Sequence, residues 1–260
     1  MTTQDIAARV RIRLVGGPTA ILDLGGLRLM TDPTFDPPGD YPVGERVLTK
    51  TTGPTITPAE AGRVDAVLLS HDQHADNLDH AGRALLRTVP LVLSTASAAD
   101  RIGAPVTALP SWQHVDIARP DGGGRLRVTA VPAQHGPDGT EHLTGEVTGF
   151  VLTGTRLPTV YVSGDNASLD VVREIAARFA PIDLAVLFGG AARTPLLGEA
   201  NLTLDAEAMV AATRILDARA VVPVHVEGWG HFTEGTAAVR EAFERAGLTG
   251  RLDRAAYQRA

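Results

Sequence analysis

The 260-residue chain contains no cysteine, which excludes disulfides, thiolate nucleophiles, iron–sulfur clusters and every zinc site built on sulfur. Lysine is almost as scarce. Lys50 is the only one, the arginines are scattered, and the formal net charge is −6. A nucleic-acid surface needs clustered cations to displace counterions, so nucleic acid is not an expected partner. No apolar run approaches the roughly 18 residues that a membrane-spanning helix requires. The opening MTTQDIAARVRIRL lacks the charged and apolar blocks of an export signal, and the expectation is a soluble, cytoplasmic protein with no membrane span. Also missing are GxGxxG, Walker A and GxSxG patterns, so nucleotide-binding and serine-hydrolase chemistries have no starting point. Nothing in the pattern specifies an oligomeric state.

What is present favours a packed, turn-rich fold. Hydrophobic residues make up 44% and charged residues 21%, with 27 glycines and 17 prolines, more punctuation than an all-helical bundle carries. VRIRLV (10–15), TAILDL (19–24) and LRLMTD (27–32) are separated by Gly16-Gly17 and Gly25-Gly26, which predicts a β-meander. Residues 35–55, rich in Pro, Gly and Thr without periodicity, read as a structureless binding or lid loop. From residue 65, apolar runs (65–70, 91–94) alternate with predicted helices (78–88, 96–102). Strand-like runs follow at 106–109, 112–117, 124–133, 147–153 and 158–164. The last third alternates helices (169–179, 203–217, 233–247) with strands (182–188, 220–225). Two β-rich blocks, each ending in helix–strand units with no linker-like break, predict one α/β domain over residues 1–260. Its layers are two packed sheets with helices outside, an αββα sandwich.

The eight histidines are residues 71, 74, 80, 114, 135, 142, 225 and 231. His71 and His74 follow the 65–70 strand, His135 follows 124–133, His225 closes 220–225, and Asp165 follows 158–164. Strands anchored in a core hold such side chains rigidly while their loops converge over one edge, the preorganisation a metal site needs. Without sulfur, the set is imidazole plus carboxylate, which suits Zn, Mn or Fe in an open catalytic site. The richest segment is Ser70-His71-Asp72-Gln73-His74-Ala75-Asp76-Asn77. His80 and His114 read as structural, the latter packed beside Trp112, and His142 as solvated. His231, beside Trp229 in EGWGHF, either points into the same pocket or stays outside it.

Taken in order, IRLVGGPTAILDLGGLRLMTDPTF, VLLSHDQHADNLD, PAQHG, YVSGD, NLTLDAEAM and VVPVH, over roughly residues 10–232, resemble the metallo-β-lactamase fold superfamily. The layout is closest to the branch of the ascorbate-phosphate lactonase and the N-acyl phosphatidylethanolamine phospholipase D. The resemblance implies a hydrolase that cleaves an ester, lactone, phosphodiester or amide of a small molecule, using one or two divalent metal ions, zinc foremost, with Mn or Fe as alternatives. It places the family's HxHxDH motif on residues 71–77, with His74 and Asp76 as its second histidine and its aspartate. His135 would complete the first metal site, Asp165 bridge two metals, His225 close the second site, and Asp32 support the ligands from behind.

Two departures stand out. The first-histidine position holds Asp72, with His71 one residue earlier; either His71 coordinates through a one-residue bulge or Asp72 replaces it. The final histidine of the motif is Asn77. With Asp72 as a ligand, the oxygen-rich set drifts from zinc toward Mn or Fe. By the same resemblance Asp76 orients the attacking water and takes its proton, and Asn77 or His231 donates to the developing anion or the leaving group. Arg46, Lys50 and Arg193 lie in loops on the pocket side and could offset its negative charge. The rival readings are a mononuclear Fe or Mn redox enzyme on the same fold and a degenerate, non-catalytic ligand-binding member.

Overall fold

A computed structural model describes Ile6 and residues 9–252 of the chain. Strands β1 (Val10–Gly16), β2 (Thr19–Leu24) and β3 (Leu27–Thr31) form the expected antiparallel meander. The chain then leaves the sheet as a separate hairpin, β4 (Gly39–Val43) and β5 (Arg46–Lys50). After helix α1 (Pro58–Ala61) it returns as β6 (Ala66–Leu68), followed by α2 (His80–Leu86), β7 (Val92–Ser94), α3 (Ala96–Ile102) and β8 (Val106–Ala108). Strands β6 to β8 run parallel beside β3, completing a six-stranded sheet.

The second half repeats this plan. Strands β9 (His114–Ala118) and β10 (Arg125–Pro132), helix α4 (Glu141–Thr144), β11 (Thr148–Gly154) and β12 (Val160–Val162) come first, the four strands pairing antiparallel. Helix α5 (Leu169–Phe179), β13 (Leu184–Phe188), α6 (Ala206–Ile215), β14 (Ala220–Val224) and α7 (Thr236–Arg245) follow, with β13 and β14 parallel to β12.

Strand periodicity decides the layers, because successive side chains leave a strand on opposite faces. Ala20, Leu22 and Leu24 of β2 enter a core with Leu126, Val128 and Ala130 of β10 and with Val186 and Phe188 of β13. Ile21, between them, faces a different cluster containing Ala61 of α1 and Leu86 of α2. On the far side Ala185 and Leu187 of β13 pack with Val172 and Ile175 of α5, Met209 of α6 and Phe243 of α7. The order is helix, sheet, sheet, helix: the αββα sandwich that the sequence predicts. Every residue of β13 is buried because both of its faces are covered, which is why that strand reads as an unbroken apolar run.

The 35–55 segment corrects the sequence reading, since it contains the β4–β5 hairpin. Its strands escape detection because both faces are largely open: in Gly39–Val43 only Tyr41 is buried, and in Arg46–Lys50 only Lys50. The base of the hairpin is fixed by charge. Lys50 Nζ donates to Asp79 Oδ2 at 2.9 Å with both side chains buried, and it lies 5.7 Å from the centre of the Trp229 ring. Lys50 is therefore a structural cation and not a pocket charge. Tyr41 donates to Asp36 Oδ2 at 2.9 Å and packs against Trp229. Asp79 Oδ1 also accepts from Gly82 N at 2.8 Å, capping α2.

Among the described residues no helix is long and apolar enough to cross a membrane. Helix α2 lies so close to the turn after β3 that a Cβ on Gly82 would stand 1.8 Å from Pro33 O and 2.7 Å from Pro33 C. Helix propensity alone favours Gly82→Ala by about 1 kcal/mol, but the backbone contact must reverse the sign. We expect Gly82→Ala to destabilise the fold by about 3 kcal/mol in urea unfolding. A wild-type midpoint would show that the helix does not approach the turn this closely.

Candidate metal centre

Strand β6 runs straight into Ser70 and His71, and three imidazoles meet just beyond it. His71 Nε2 lies 2.9 Å from His74 Nδ1, and His135 Nε2 lies 3.3 Å from the same nitrogen. Hydrogen bonds on the far side of each ring select the tautomer. His135 Nδ1 is 2.8 Å from Leu202 O; a carbonyl only accepts, so Nδ1 carries the hydrogen and Nε2 presents its lone pair. His71 Nδ1 is 2.9 Å from Ser70 Oγ, whose hydroxyl donates to Asp32 Oδ2 at 2.6 Å. The same logic leaves His71 Nε2 as an acceptor. Burial, reinforced by the neighbouring imidazoles, holds His71 well below its ordinary pKa and His74 down to about 4. His71 and His74 are therefore neutral at pH 7, as metal ligation requires.

Asp72 is not part of it. Its buried carboxylate is gripped by Arg101 of α3, whose Nε lies 3.0 and 3.1 Å from the two oxygens, and Arg83 of α2 stands 3.6 Å away. This corrects the expectation that Asp72 might supply a ligand: two guanidinium groups draw it outward, and the adjacent residue, His71, faces the other imidazoles. The ligand atoms of His71, His74 and His135 all lie within 4.8 Å of one another.

Asp76, Asp165 and His225 form a second group within the same limit. His225, at the end of β14, sits at φ +58, a strained backbone region for a non-glycine residue. Its N–H donates to Gly17 O at 2.8 Å, and its Nδ1 donates to Gly189 O at 3.0 Å. Nε2 therefore faces Asp76 Oδ2 at 3.1 Å and Asp165 Oδ2 at 3.6 Å. A lone pair opposed to two carboxylates is repulsive unless a cation lies between them. Burial disfavours charge on this ring, but Asp165 and Asp76 outweigh it and push His225 up to about 9. Burial likewise opposes ionisation of Asp76, yet His231 and His225 hold it well below the usual carboxylate range.

The donor set fits a divalent cation. Asp76 Oδ1, Asp165 Oδ2 and His231 Nδ1 are buried without a hydrogen-bond partner among the described residues, a cost that an interior tolerates only where something else satisfies them. Asp165 Oδ2 lies 3.8 Å from His135 Nε2 and 3.6 Å from His225 Nε2, between the two groups.

Behind the ligand candidates stands Asp32, fully buried at the end of β3. It accepts from Ser70 N and Ser70 Oγ, both at 2.6 Å, and from Asn77 Nδ2 at 3.0 Å. Burial pushes its carboxyl up to about 7 against those hydrogen bonds. Asn77 Nδ2 also donates to Asp165 Oδ1 at 3.1 Å. Both amide hydrogens are thus committed, and the side chain is fully buried. Asn77 is not available as a donor to substrate, which corrects the expected catalytic role. Gly164, at φ +59, allows β12 to turn into Asp165; a Cβ there would meet Thr148 O at 2.5 Å and Ser70 Cβ at 2.9 Å.

His231 does reach the site: its Nε2 is 3.0 Å from Asp76 Oδ2, the oxygen that also faces His225. His80 stands apart, exposed, bound to Asp36 and stacked on Tyr41. His114 is exposed on β9, not packed as expected, and His142 is exposed as expected. The groups that sequence reasoning missed are Arg83, Arg101 and the carbonyls of Gly189 and Leu202. Backbone carbonyls carry no residue signature, and the arginines lie on helices that only the fold brings to Asp72. Beside the two groups opens a cavity of about 380 Å³ whose wall includes His74, Asp76, His135 and His231.

Removing the Asp32 carboxylate orphans three buried donor contacts, so Asp32→Ala should lose about 3 kcal/mol of stability, read by thermal denaturation. An unchanged midpoint would show that this carboxylate does not organise the site. A cation entering at His225 must also displace a proton. The proton is held below about pH 9, so apparent affinity should rise about tenfold per pH unit up to that point and then level off. A pH-stat titration of metal-free protein with zinc at pH 7.5 should release about one proton for this step. Zinc uptake with no release would show that His225 is not displaced.

The comparisons with known proteins agree with this geometry. Residues 27–226 match the Beta-lactamase superfamily domain. A UPF0173 metal-dependent hydrolase from Pelotomaculum thermopropionicum is 30% identical over 196 residues, covering 72% of this chain and 78% of the relative. Among solved structures, the isothiocyanate hydrolase from Delia radicum gut bacteria superposes with a TM-score of 0.77 at 21% identity, over 93% of this chain and 94% of that one. A possible metal-dependent hydrolase from Veillonella parvula superposes with a TM-score of 0.79 at 16% identity, over 94% and 95%. The structures share the fold and the sequence matches carry the family: the chain belongs to the β-lactamase superfamily, as a metal-dependent hydrolase of the metallo-β-lactamase fold.

Proposed function

We propose that the protein hydrolyses an ester, lactone, amide or phosphodiester bond of a small molecule, with His71, His74 and His135 holding one divalent ion and Asp76, Asp165 and His225 a second. The observation that carries this reading is the pair of ring nitrogens, Nε2 of His135 and Nε2 of His225, flanking a carboxylate oxygen of Asp165 that has no hydrogen-bond partner among the described residues. Three imidazoles suit zinc. With Asp72 held by arginines, the oxygen-rich first site that would have favoured a redox metal loses its premise. The second site has one imidazole and two carboxylates, with the neutral Asn77 where the motif carries a further histidine, so it binds its ion more weakly and accepts Mn or Fe more readily. A net charge of −6 supports a small molecule over nucleic acid as the substrate.

An ion bound there would supply Lewis acidity and bring the pKa of a water down to about 7. The rest falls to the chain. Asp76, in the cavity wall and hydrogen-bonded through Oδ2 to His231, orients a water and takes its proton. Asp76 then gives that proton to the leaving atom, with His231 hydrogen-bonded beside it in the cavity wall. Asp32 and Asn77 keep Ser70 and Asp165 in place while the charge moves.

Asp76→Asn keeps the shape and removes the base, so kcat on any turned-over substrate should fall by about 10²–10⁴-fold. Metal analysis should show zinc retained at the imidazole group. Undiminished turnover would remove Asp76 from the mechanism. Wild-type protein purified without added metal should carry one tightly held zinc per chain; two that both survive dialysis would overturn the weaker second site.

A further inference from the structure

We infer that the substrate is an uncharged carbonyl compound, an ester, lactone or amide, whose aliphatic or aryl group is clasped between the β4–β5 hairpin and the segment 193–198. This inference rests on the hydrolytic reading above and narrows it.

The cavity sets a polar group of ligand candidates against a largely aliphatic wall. His74, Asp76, His135 and His231 lie at one end, while Val43, Leu48, Leu143, Pro195, Leu196 and Leu202 furnish the walls. At about 380 Å³ it falls near the small end of ligand cavities, roughly 300–1,000 Å³. That suits a medium-chain acyl or single-ring group and is too small for a helix of a protein partner.

The surface around the mouth carries the strongest signal. Among the described residues the exposed large hydrophobics are Val47 at 56%, Leu143 at 47% and Leu196 at 57%. They come from three separate stretches of chain, and all three line this one cavity. Scattered exposed aliphatics need no explanation, but a set gathered at one opening marks a surface meant to be covered.

Charge points the same way. The cationic side chains in the lining are Arg46 and Arg193. Arg193 is neutralised by Glu199, and its Nε donates to Asn201 Oδ1 at 2.9 Å. Arg46 donates to Thr194 Oγ1, which ties the hairpin to the opposite segment across the mouth. Arg193 is offset by Glu199, which leaves Arg46, bonded to a neutral hydroxyl, as the uncompensated cation of the lining against Asp76, too little positive charge to draw in a polyanion. An uncharged head group with an apolar body meets no repulsion and gains the walls.

The test uses zinc-loaded protein and straight-chain hydroxamates from acetyl to octanoyl, whose shared head group chelates zinc. Calorimetric Kd values should tighten by about fourfold per added methylene until the walls are filled. In parallel, kcat/KM for p-nitrophenyl esters should rise from acetate to octanoate and exceed that for bis(p-nitrophenyl) phosphate. Leu196→Ser and Val47→Ser alter exposed positions that the fold does not need, and each should cut the octanoyl-to-acetyl ratio several-fold. Ester turnover with no dependence on chain length, or a preference for the phosphodiester, would overturn the inference and leave hydrolysis standing. Steep hydroxamate binding without cleavage of any ester, lactone or amide would keep the apolar clasp and overturn the hydrolytic reading.

Discussion

The architecture depends on a buried excess of negative charge that the chain does not neutralise permanently. Asp76 and Asp165 converge on His225 Nε2 at 3.1 and 3.6 Å, and Gly189 O fixes the other ring nitrogen as the donor. In a low-dielectric interior, two carboxylates and a lone pair are stable together only around a cation. A proton on His225 meets that need in part; a divalent ion meets it fully and also gives the unpartnered oxygens of Asp76 and Asp165 a place to bind. Metal binding and the integrity of the site are therefore two sides of one electrostatic requirement.

The fold is arranged so that this requirement cannot be relaxed. Each participating side chain leaves the end of a strand whose neighbours are buried on both faces: His71 beyond β6, Asp165 beyond β12, His225 beyond β14. Those ends cannot move apart without opening the core between the sheets. Asp32 then links the pieces, accepting from Ser70 beside His71 and from Asn77, which in turn donates to Asp165. One carboxylate couples ligand candidates from two different sheets. Its own burial, which pushes it up to about 7, is the cost of that coupling.

How much of this could be seen in advance follows from what each residue reports about itself. The two sheets were legible because runs such as TVYVS and AVVPV read as buried strands, and their ends named Asp165 and His225. The hairpin was not, since GDYPV and RVLTK alternate neither in polarity nor in burial. The choice between His71 and Asp72 was equally closed to the sequence. What favours His71 is the hold of Arg83 and Arg101 on Asp72; they share no motif with the site and reach Asp72 only after α2 and α3 have packed. Asn77 shows the opposite case: its departure from the family motif was plain, but its use as a two-way donor behind the ligands depends on how Asp32 and Asp165 sit in space.

The same hairpin that escaped notice decides how the site meets its surroundings. Its base is locked by the buried Lys50–Asp79 pair and by Tyr41 against Trp229, while its outer strand leaves Val47 exposed. A buried ion pair is a poor source of net stability but holds one geometry firmly, and here it holds an apolar roof at a set height above charged groups. Removing water from that space strengthens every electrostatic interaction at the floor. An apolar substrate that fills the cavity therefore does more than bind: by displacing water from beside Asp76, it makes that carboxylate's pull on a proton stronger when the bond is to be broken.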